Sequence, residues 1–196
     1  MQDKLKIVFN KEEVEEKIAE LAEVISRDYQ DKDLVLLCVL KGAFVFAGDL
    51  MKKLSIPSKI EFIRISSYGD SKKSSGVLKI KGKLEIDLDI RGKDILIVED
   101  IIDSGLTMEF LVDYLKNYKP NKRGQSFEKK KSSNHEECYA PNSVKICSLI
   151  NRLNVENKKI EPDYVCFNID SKDFFVGCGM DFSERYRNLP YIAAII

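Results

Sequence analysis

The sequence predicts an α/β fold: a mostly parallel, twisted sheet flanked by helices, with a small hood subdomain. Three apolar runs of strand length, at 34–40, 95–98 and 144–150, suit strands that are buried on both faces of a parallel sheet. Helical patterns separate these runs, and alternation of strands with helices is typical of a doubly wound sheet. We therefore expect one domain.

The helices are predicted from apolar periodicity and from capping residues. Asn10 and Glu13 have the spacing of a capping box at the start of a helix over 11–29. Further helical patterns cover 43–54 and 107–118. The first helix should bury an apolar stripe made of Val14, Ile18, Leu21, Ala22 and Ile25.

The remaining segments are weaker strands and polar loops. Apolar patterns at 60–66 and 164–168 indicate strands, and residues 191–196 end the chain apolar. The polar residues 67–76 indicate a mobile loop, and 77–84 a ribbon that leads back from it. Residues 119–142 are rich in Lys, Ser, Asn and Pro, which predicts an exposed insertion. We expect a core over about 30–160, interrupted by that insertion, and a hood from the N-terminus and about 162–196.

Composition excludes several classes of protein. The 196 residues include 32 basic and 32 acidic side chains, so the net charge is zero and gives no footprint for nucleic acid or an anionic membrane. The basic run at 129–131 is diluted by nearby Glu128, Glu136 and Glu137, which favours a solvated loop over a nucleic-acid patch. The longest apolar run, 34–40, is too short to cross a bilayer.

The cysteines and the single histidine limit the chemistry further. Five cysteines without CxxC spacing indicate reduced core residues, so we expect a cytoplasmic protein. His135 lies in the most polar part of the chain, so a Ser–His or Cys–His mechanism has no credible base and a His-based zinc site has no ligands. Acid, amide and metal chemistry remain.

The segment 95–107 is the most informative part of the chain. An apolar run leads into Glu99 and Asp100, which we expect to end the strand, and then into a turn of Asp103, Ser104 and Gly105 before a helix. The crevice beyond the carboxyl ends of parallel strands binds ligands, and a helix N-terminus there offers N–H groups to a phosphate. A polar strand end alone would explain the acidic pair but not the whole pattern.

The wording of this segment, VEDIIDSGLT, resembles the 5-phosphoribosyl diphosphate (PRPP) motif of the type I phosphoribosyltransferases, in particular their hypoxanthine-guanine branch. The resemblance covers nearly the whole chain except 119–142 and implies the type I phosphoribosyltransferase fold. It implies that Glu99 and Asp100 bind ribose hydroxyls and Mg²⁺, and that Asp103 faces the purine N7 as general base. The 5′-phosphate would then be cradled by Ser104, Gly105, Leu106 and Thr107.

Two further loops match the family pattern. Lys41 and Gly42 resemble the pyrophosphate loop, in which a strained peptide turns amides toward the leaving group, although this pair alone is more often a plain turn. Ser67 and Tyr68 match the start of a lid that closes over the reaction and excludes water.

The C-terminal segments 162–167, 174–181 and 186–191 carry a second resemblance, to the purine branch. By that pattern Phe174 stacks on the base, the Phe175 backbone reads the edge of the base, and Arg187 meets pyrophosphate. Asp181 would serve both the base and the metal. Core packing is the alternative for one of the two phenylalanines.

This chain departs from the pattern at two places. Arg152 takes the position of a lysine that donates to the purine 6-oxo group, and Arg is bulkier and forked. Residues 168–173 are one longer than usual, which leaves the register of Phe174 and Phe175 open.

The resemblance implies a Mg²⁺-dependent purine salvage enzyme that makes IMP or GMP and pyrophosphate from PRPP and hypoxanthine or guanine, with xanthine as a further candidate. It also implies a homodimer or homotetramer, with no nucleic-acid or membrane partner. The alternatives are a nucleotide-sensing regulator that binds nucleic acid, which the neutral charge disfavours, and a phosphoacceptor receiver domain, which does not need the segment 162–191.

Overall fold

The computed structural model describes residues 3–65, 89–118 and 140–196. The predicted loop at 67–76, the ribbon at 77–84, most of the insertion at 119–142 and the basic run at 129–131 lie outside the described residues. In the described segments no helix is both long and apolar enough to span a membrane.

The described residues form eight strands and three helices. In chain order they are β1 (Leu5–Phe9), α1 (Lys11–Asp28), β2 (Leu34–Leu40), α2 (Phe44–Lys53), β3 (Ser58–Arg64), β4 (Asp94–Ile102), α3 (Leu106–Lys116), β5 (Ser143–Arg152), β6 (Tyr164–Ile169), β7 (Phe175–Val176) and β8 (Ile192–Ile195).

The main sheet is parallel and has the strand order β3-β2-β4-β5-β6. From β2 the chain moves outward to β3 and then returns to the other side of β2 to form β4. The order therefore reverses between β2 and β4, and in open α/β sheets such a switch point opens a ligand crevice at the carboxyl ends of the two strands. This topology places the segment that follows Leu40 beside the end of β4.

The two faces of this sheet pack on different helices, which explains why its central strands are apolar throughout. Leu36, Leu96 and Val98 belong to one buried cluster together with the apolar stripe of α1 and the buried side of α2. Leu37 and Ile97 belong to a second cluster with the buried residues of α3. Alternate side chains of a strand point to opposite faces, so both sets must be apolar.

The first helix confirms its predicted start and its buried face. The Asn10 backbone N–H donates to Glu13 Oε2 at 2.7 Å, and the Glu13 backbone N–H donates to Asn10 Oδ1 at 2.9 Å. Both bonds of the capping box are therefore formed. All five residues of the predicted stripe are buried: Val14, Ile18, Leu21, Ala22 and Ile25.

A second, antiparallel sheet joins the two ends of the chain in the order β1-β8-β7. Leu5 lies opposite Ile195, and Phe175 lies opposite Ala194. The strand β6 pairs with β5 in the main sheet, although its residues fall inside the range 162–196 expected for the hood. The three-stranded sheet carries the loops 177–191 toward the switch point, where Gly179 meets Gly42.

Candidate active site

The acidic pair lies within β4 and does not end it. Glu99 pairs with Ser148 and Ile101 pairs with Ile150, so the strand continues to Ile102. The prediction that the strand ends at the carboxylates was wrong because β5 extends the hydrogen-bonded ladder past them. Glu99 Oε1 accepts a hydrogen bond from the Asp100 backbone N–H at 3.1 Å, which keeps the Glu99 carboxylate beside Asp100.

The two carboxylates form an acidic centre suited to a cation. Burial raises the pKa of Glu99 well above its usual range, and the neighbouring Asp100 carboxylate raises it further. Asp100 Oδ1 accepts a hydrogen bond from the Ile101 backbone N–H at 2.9 Å. Within the described segments no Lys, Arg or His forms a salt bridge with either acid. Hard oxygen donors of this kind are the ligands that Mg²⁺ prefers.

The loop after β2 lies directly against this acidic centre. A Cβ atom built on Gly42 would overlap the Asp100 carboxylate, so a larger residue would force the Asp100 side chain or the loop to shift. A Cβ atom on Gly179 would likewise overlap the Gly42 carbonyl oxygen. The peptide bond between Leu40 and Lys41 is cis. The acidic strand, the Lys41–Gly42 loop and the C-terminal loops therefore meet in one chain of contacts.

The turn that precedes α3 leaves the helix N-terminus open. Gly105 has a φ of 75°, in the left-handed region that favours glycine, and no side chain caps the helix that begins at Leu106. The turn is held from outside because the Lys159 backbone N–H donates to the Ser104 carbonyl oxygen at 2.8 Å. The free N–H groups of the first turn, which includes Thr107, can bind an anion.

Two cations at the other side of the crevice are paired with acids. Lys41 Nζ lies 3.0 Å from Glu184 Oε1, and Arg187 Nη2 lies 3.2 Å from Glu184 Oε2. Arg187 Nη2 also lies 2.7 Å from Asp181 Oδ1, and its Nη1 donates to the Gly179 carbonyl oxygen at 2.8 Å. Lys41 and Arg187 lower the pKa of Glu184. Sequence reasoning missed Glu184, whose position three residues before Arg187 was its only signal.

The strand end of β5 brings Arg152 to the loop of Asp103. Arg152 Nε lies 3.9 Å from Asp103 Oδ1, and the Asp103 side chain is 70 % exposed. The Arg152 guanidinium also stacks over the Phe175 ring, 5.0 Å from its centroid. Phe175 is a core residue, whereas Phe174 is 53 % exposed and meets Phe182 edge-on at 5.5 Å between ring centroids. Phe174 is therefore the phenylalanine with a face available to a ligand.

Two predictions about the site are not supported by the structure: the lid residues lie outside the described part of the chain, and the proposed metal ligands do not come together as a cluster. Ser67 and Tyr68 lie outside the described residues. Within the described part of the chain, no three His, Cys, Asp or Glu side chains come together as a metal cluster. Glu99, Asp100 and Asp181 thus do not form a closed ligand cage by themselves.

An open parallel sheet with an acidic pair, a helix N-terminus and paired cations at its switch point defines a phosphate-handling α/β enzyme. The phosphoribosyl transferase domain family matches residues 5–183. The chain belongs to this family of transferases.

Individual relatives agree with this assignment. The chain is 37 % identical over 195 residues to the hypoxanthine-guanine phosphoribosyltransferase of Mycobacterium tuberculosis, covering 96 % of this chain and 85 % of that protein. It is 37 % identical over 194 residues to the enzyme of the same name from Streptococcus pyogenes, with coverages of 99 % and 94 %. A crystal structure of a Bacillus anthracis hypoxanthine-guanine phosphoribosyltransferase with HEPES in its active site superposes with a TM-score of 0.79, at 35 % identity over 100 % of both chains.

Proposed function

We propose that this protein is a hypoxanthine-guanine phosphoribosyltransferase of purine salvage. It transfers the 5-phosphoribosyl group from PRPP to hypoxanthine or guanine and gives IMP or GMP and pyrophosphate, with xanthine as a further candidate base. The observation that carries the proposal is the chain of contacts from Asp100 to Gly42 and from Gly42 to Gly179. These contacts join the groups expected to hold ribose, pyrophosphate and base.

In this reaction the bond between ribose C1′ and the pyrophosphate oxygen breaks, and a bond from C1′ to a ring nitrogen of the base forms. Positive charge develops on the ribose ring and negative charge on the leaving group, so fixed charges at both ends lower the barrier. Lys41 and Arg187 neutralise the pyrophosphate, assisted by the Gly42 backbone amide. Both cations lie beside acids that the incoming phosphates can replace.

Glu99 and Asp100 would bind the ribose hydroxyls, and with Asp181 they would supply carboxylate oxygens to Mg²⁺. The donor set fits this ion, because Mg²⁺ usually takes one or two protein carboxylates and completes its shell with water and substrate phosphates. When bound, the ion stabilises the negative charge of the leaving group.

The base occupies the space between Asp103 and Phe174. Asp103 accepts the proton at purine N7, Phe174 stacks on the ring, and the Phe175 backbone reads the edge of the base. Arg152 donates a hydrogen bond to the 6-oxo group from one of its five N–H groups. The exposure of the Phe174 ring and the 3.9 Å approach of Arg152 to Asp103 support this placement.

The remaining groups hold the phosphate and close the site. Ser104, Gly105, Leu106 and Thr107 cradle the 5′-phosphate through backbone amides and hydroxyls at the start of α3. A lid that begins at Ser67 and Tyr68 stays a prediction, because these residues lie outside the described part of the chain. Assembly as a homodimer or homotetramer and a cytoplasmic location stay predictions.

The test is a pyrophosphate-release assay with PRPP, Mg²⁺ and each purine in turn. Hypoxanthine and guanine should support release, and the nucleotide formed should be IMP or GMP by chromatography. Release that does not depend on any purine would overturn the proposal.

A further inference from the structure

We propose that Arg152 is a positioning residue that clamps the loop carrying Phe174, in addition to facing the base. The inference uses the proposed function only for the identity of the ligand. The clamp itself rests on contacts within the protein.

The guanidinium of Arg152 spans two carbonyl groups of one short loop. Its Nη1 donates to the Ser171 carbonyl oxygen, and its Nη2 donates to the Asp173 carbonyl oxygen at 2.6 Å. Its plane also covers the Phe175 ring. Three contacts from one side chain therefore fix the segment immediately before and after Phe174. The Arg152 side chain is only 14 % exposed, so water competes weakly for these bonds.

The loop has few other attachments. Residues 170–174 belong to no helix or strand, and the Asp173 backbone N–H bonds within the loop, to Ser171 Oγ at 3.0 Å. Outside the loop, Asn154 Nδ2 reaches Asp170 Oδ2 at 2.7 Å, and the Ile195 backbone N–H reaches the Phe174 carbonyl oxygen at 3.0 Å. Between Asp170 and Phe174, the bonds to the rest of the protein come from Arg152, which binds the carbonyl groups of Ser171 and Asp173.

The backbone of Arg152 is itself held in place at the end of β5. Arg152 is the last residue of β5, and Lys158 Nζ donates to its carbonyl oxygen at 2.9 Å and to Asn151 Oδ1 at 2.6 Å. A planar guanidinium holds donors on separate nitrogens in a rigid fork, whereas lysine carries its three donors on one nitrogen at the end of a flexible chain. Lysine at this position could still donate to a ligand or to a carbonyl, but it cannot reproduce the two bonds from separate nitrogens together with the cover over Phe175.

One experiment measures the clamp in the ligand-free protein. The chain contains no tryptophan, so Phe174→Trp creates a single fluorescent reporter on the loop. In that background Arg152→Lys should raise the iodide quenching constant by about twofold and lower the fluorescence anisotropy, as a freed loop side chain moves on the nanosecond scale. Arg27→Lys, a change at a side chain that is 73 % exposed on α1, is the matched control. Equal quenching in the two variants would overturn the clamp.

A double-mutant cycle tests whether the clamp acts through Phe174. We expect Arg152→Lys to raise KM for hypoxanthine about tenfold while kcat and KM for PRPP change by less than about twofold, and the effect should nearly vanish in a Phe174→Ala background. With purine, which lacks a 6-substituent, Arg152→Lys should raise KM by the same factor as with hypoxanthine, because the clamp does not depend on the 6-oxo group. If Arg152→Lys raised KM for hypoxanthine by the full tenfold in the Phe174→Ala background too, the inference would be overturned.

These two experiments separate the inference from the proposed function. If the wild-type protein fails to use hypoxanthine, the proposed function fails, and the ligand-free fluorescence still decides the clamp. Thermal melting of each variant checks that the comparison is made between folded proteins.

Discussion

Asp103 is the residue whose exchange should separate chemistry from binding. Asp103→Asn keeps the size of the side chain and removes a proton acceptor that is 70 % exposed beside Arg152. We expect turnover to fall by about 10² to 10⁴, the usual contribution of a positioned acid–base group, with PRPP affinity retained. Steady-state kinetics and PRPP titration measure the two quantities. Asp113→Asn, at an exposed position of α3, is the control, and wild-type turnover in Asp103→Asn would contradict the assigned role.

Glu184 forms ion pairs with Lys41 and Arg187, the two cations proposed to bind the pyrophosphate leaving group. Its carboxylate lies 3.0 Å from Lys41 and 3.2 Å from Arg187 in the ligand-free protein. Exposed ion pairs are weak and easily displaced, so Glu184→Gln should lower KM for PRPP by about two- to fivefold with little change in kcat. Glu16→Gln on the exposed face of α1 is the control. A higher KM would show instead that Glu184 holds the cations in place for pyrophosphate.

Arg152 should also set the choice of base. Its guanidinium can only donate hydrogen bonds, so it suits the 6-oxo group of hypoxanthine or guanine and meets the amino donor of adenine with a like dipole. A site built around a required hydrogen bond can discriminate by about 10⁴ or more. Turnover is measured with hypoxanthine, guanine, xanthine and adenine at equal concentration. Equal rates with adenine and hypoxanthine would show that Arg152 does not read position 6.

Candidate site residues could be predicted from the sequence where they belong to a recognisable motif. Residues whose role depends on contacts with distant parts of the chain could not. The string from Glu99 to Thr107 is long enough to indicate chemistry by its residues alone. Glu184 has no such surroundings, and one of its two ion pairs is with Lys41, which is 143 positions away. The exposed state of Phe174 follows from the pairing of Phe175 with Ala194, which local sequence does not encode.

At the scale of elements, local signals predicted the helices and the central strands. The capping box and apolar stripe placed α1, and the run 34–40 is the observed β2. The end of β4 was missed because a ladder to β5 supports its two acids, and that pairing joins distant segments. The strand β7 has only two residues, too few for a periodic pattern, and β1 pairs with β8 at the opposite end of the chain, which no local signal indicates.

The loop after β2 packs closely against the end of β4, and the substitution Gly42→Ala tests this contact. Gly42→Ala would put a methyl group into the Asp100 carboxylate, so the loop and the acid must separate. We expect kcat/KM for PRPP to fall by at least about tenfold, the effect of a small misplacement of reacting groups. Gly48→Ala is a matched control, since a Cβ atom there meets nothing within 4 Å, and it should stabilise α2 by about 0.5 to 1 kcal/mol. Unchanged kinetics in Gly42→Ala would contradict the close packing.

At the scale of the whole molecule, the strand order was the feature that periodicity could not supply. The order β3-β2-β4-β5-β6 places the reversal, and therefore the crevice, between β2 and β4. Alternating strands and helices are compatible with several parallel orders, and the order was not predicted from the sequence. The hood sheet joins residues 5–9 to residues 192–195, a pairing that spans nearly the full chain.

This architecture divides the proposed metal ligands between two parts of the molecule. Glu99 and Asp100 belong to the core strand β4, whereas Asp181 belongs to the loops carried by the hood sheet. Because Mg²⁺ usually binds through one or two protein carboxylates together with substrate phosphates, we expect the ion to contribute to catalysis and not to folding. Excess EDTA should therefore abolish turnover while the melting temperature of the ligand-free protein stays unchanged.

The physical reason is charge. Without a cation, the acids of the crevice would face the phosphates of PRPP, and the nearby Lys41 and Arg187 already lie beside carboxylates. Addition of Mg²⁺ beyond the chelator should restore turnover, and PRPP should raise the melting temperature more with Mg²⁺ than without it, because only binding to the folded state stabilises. Full activity in excess EDTA would rule out the metal, and a large loss of melting temperature on chelation would show a structural ion instead.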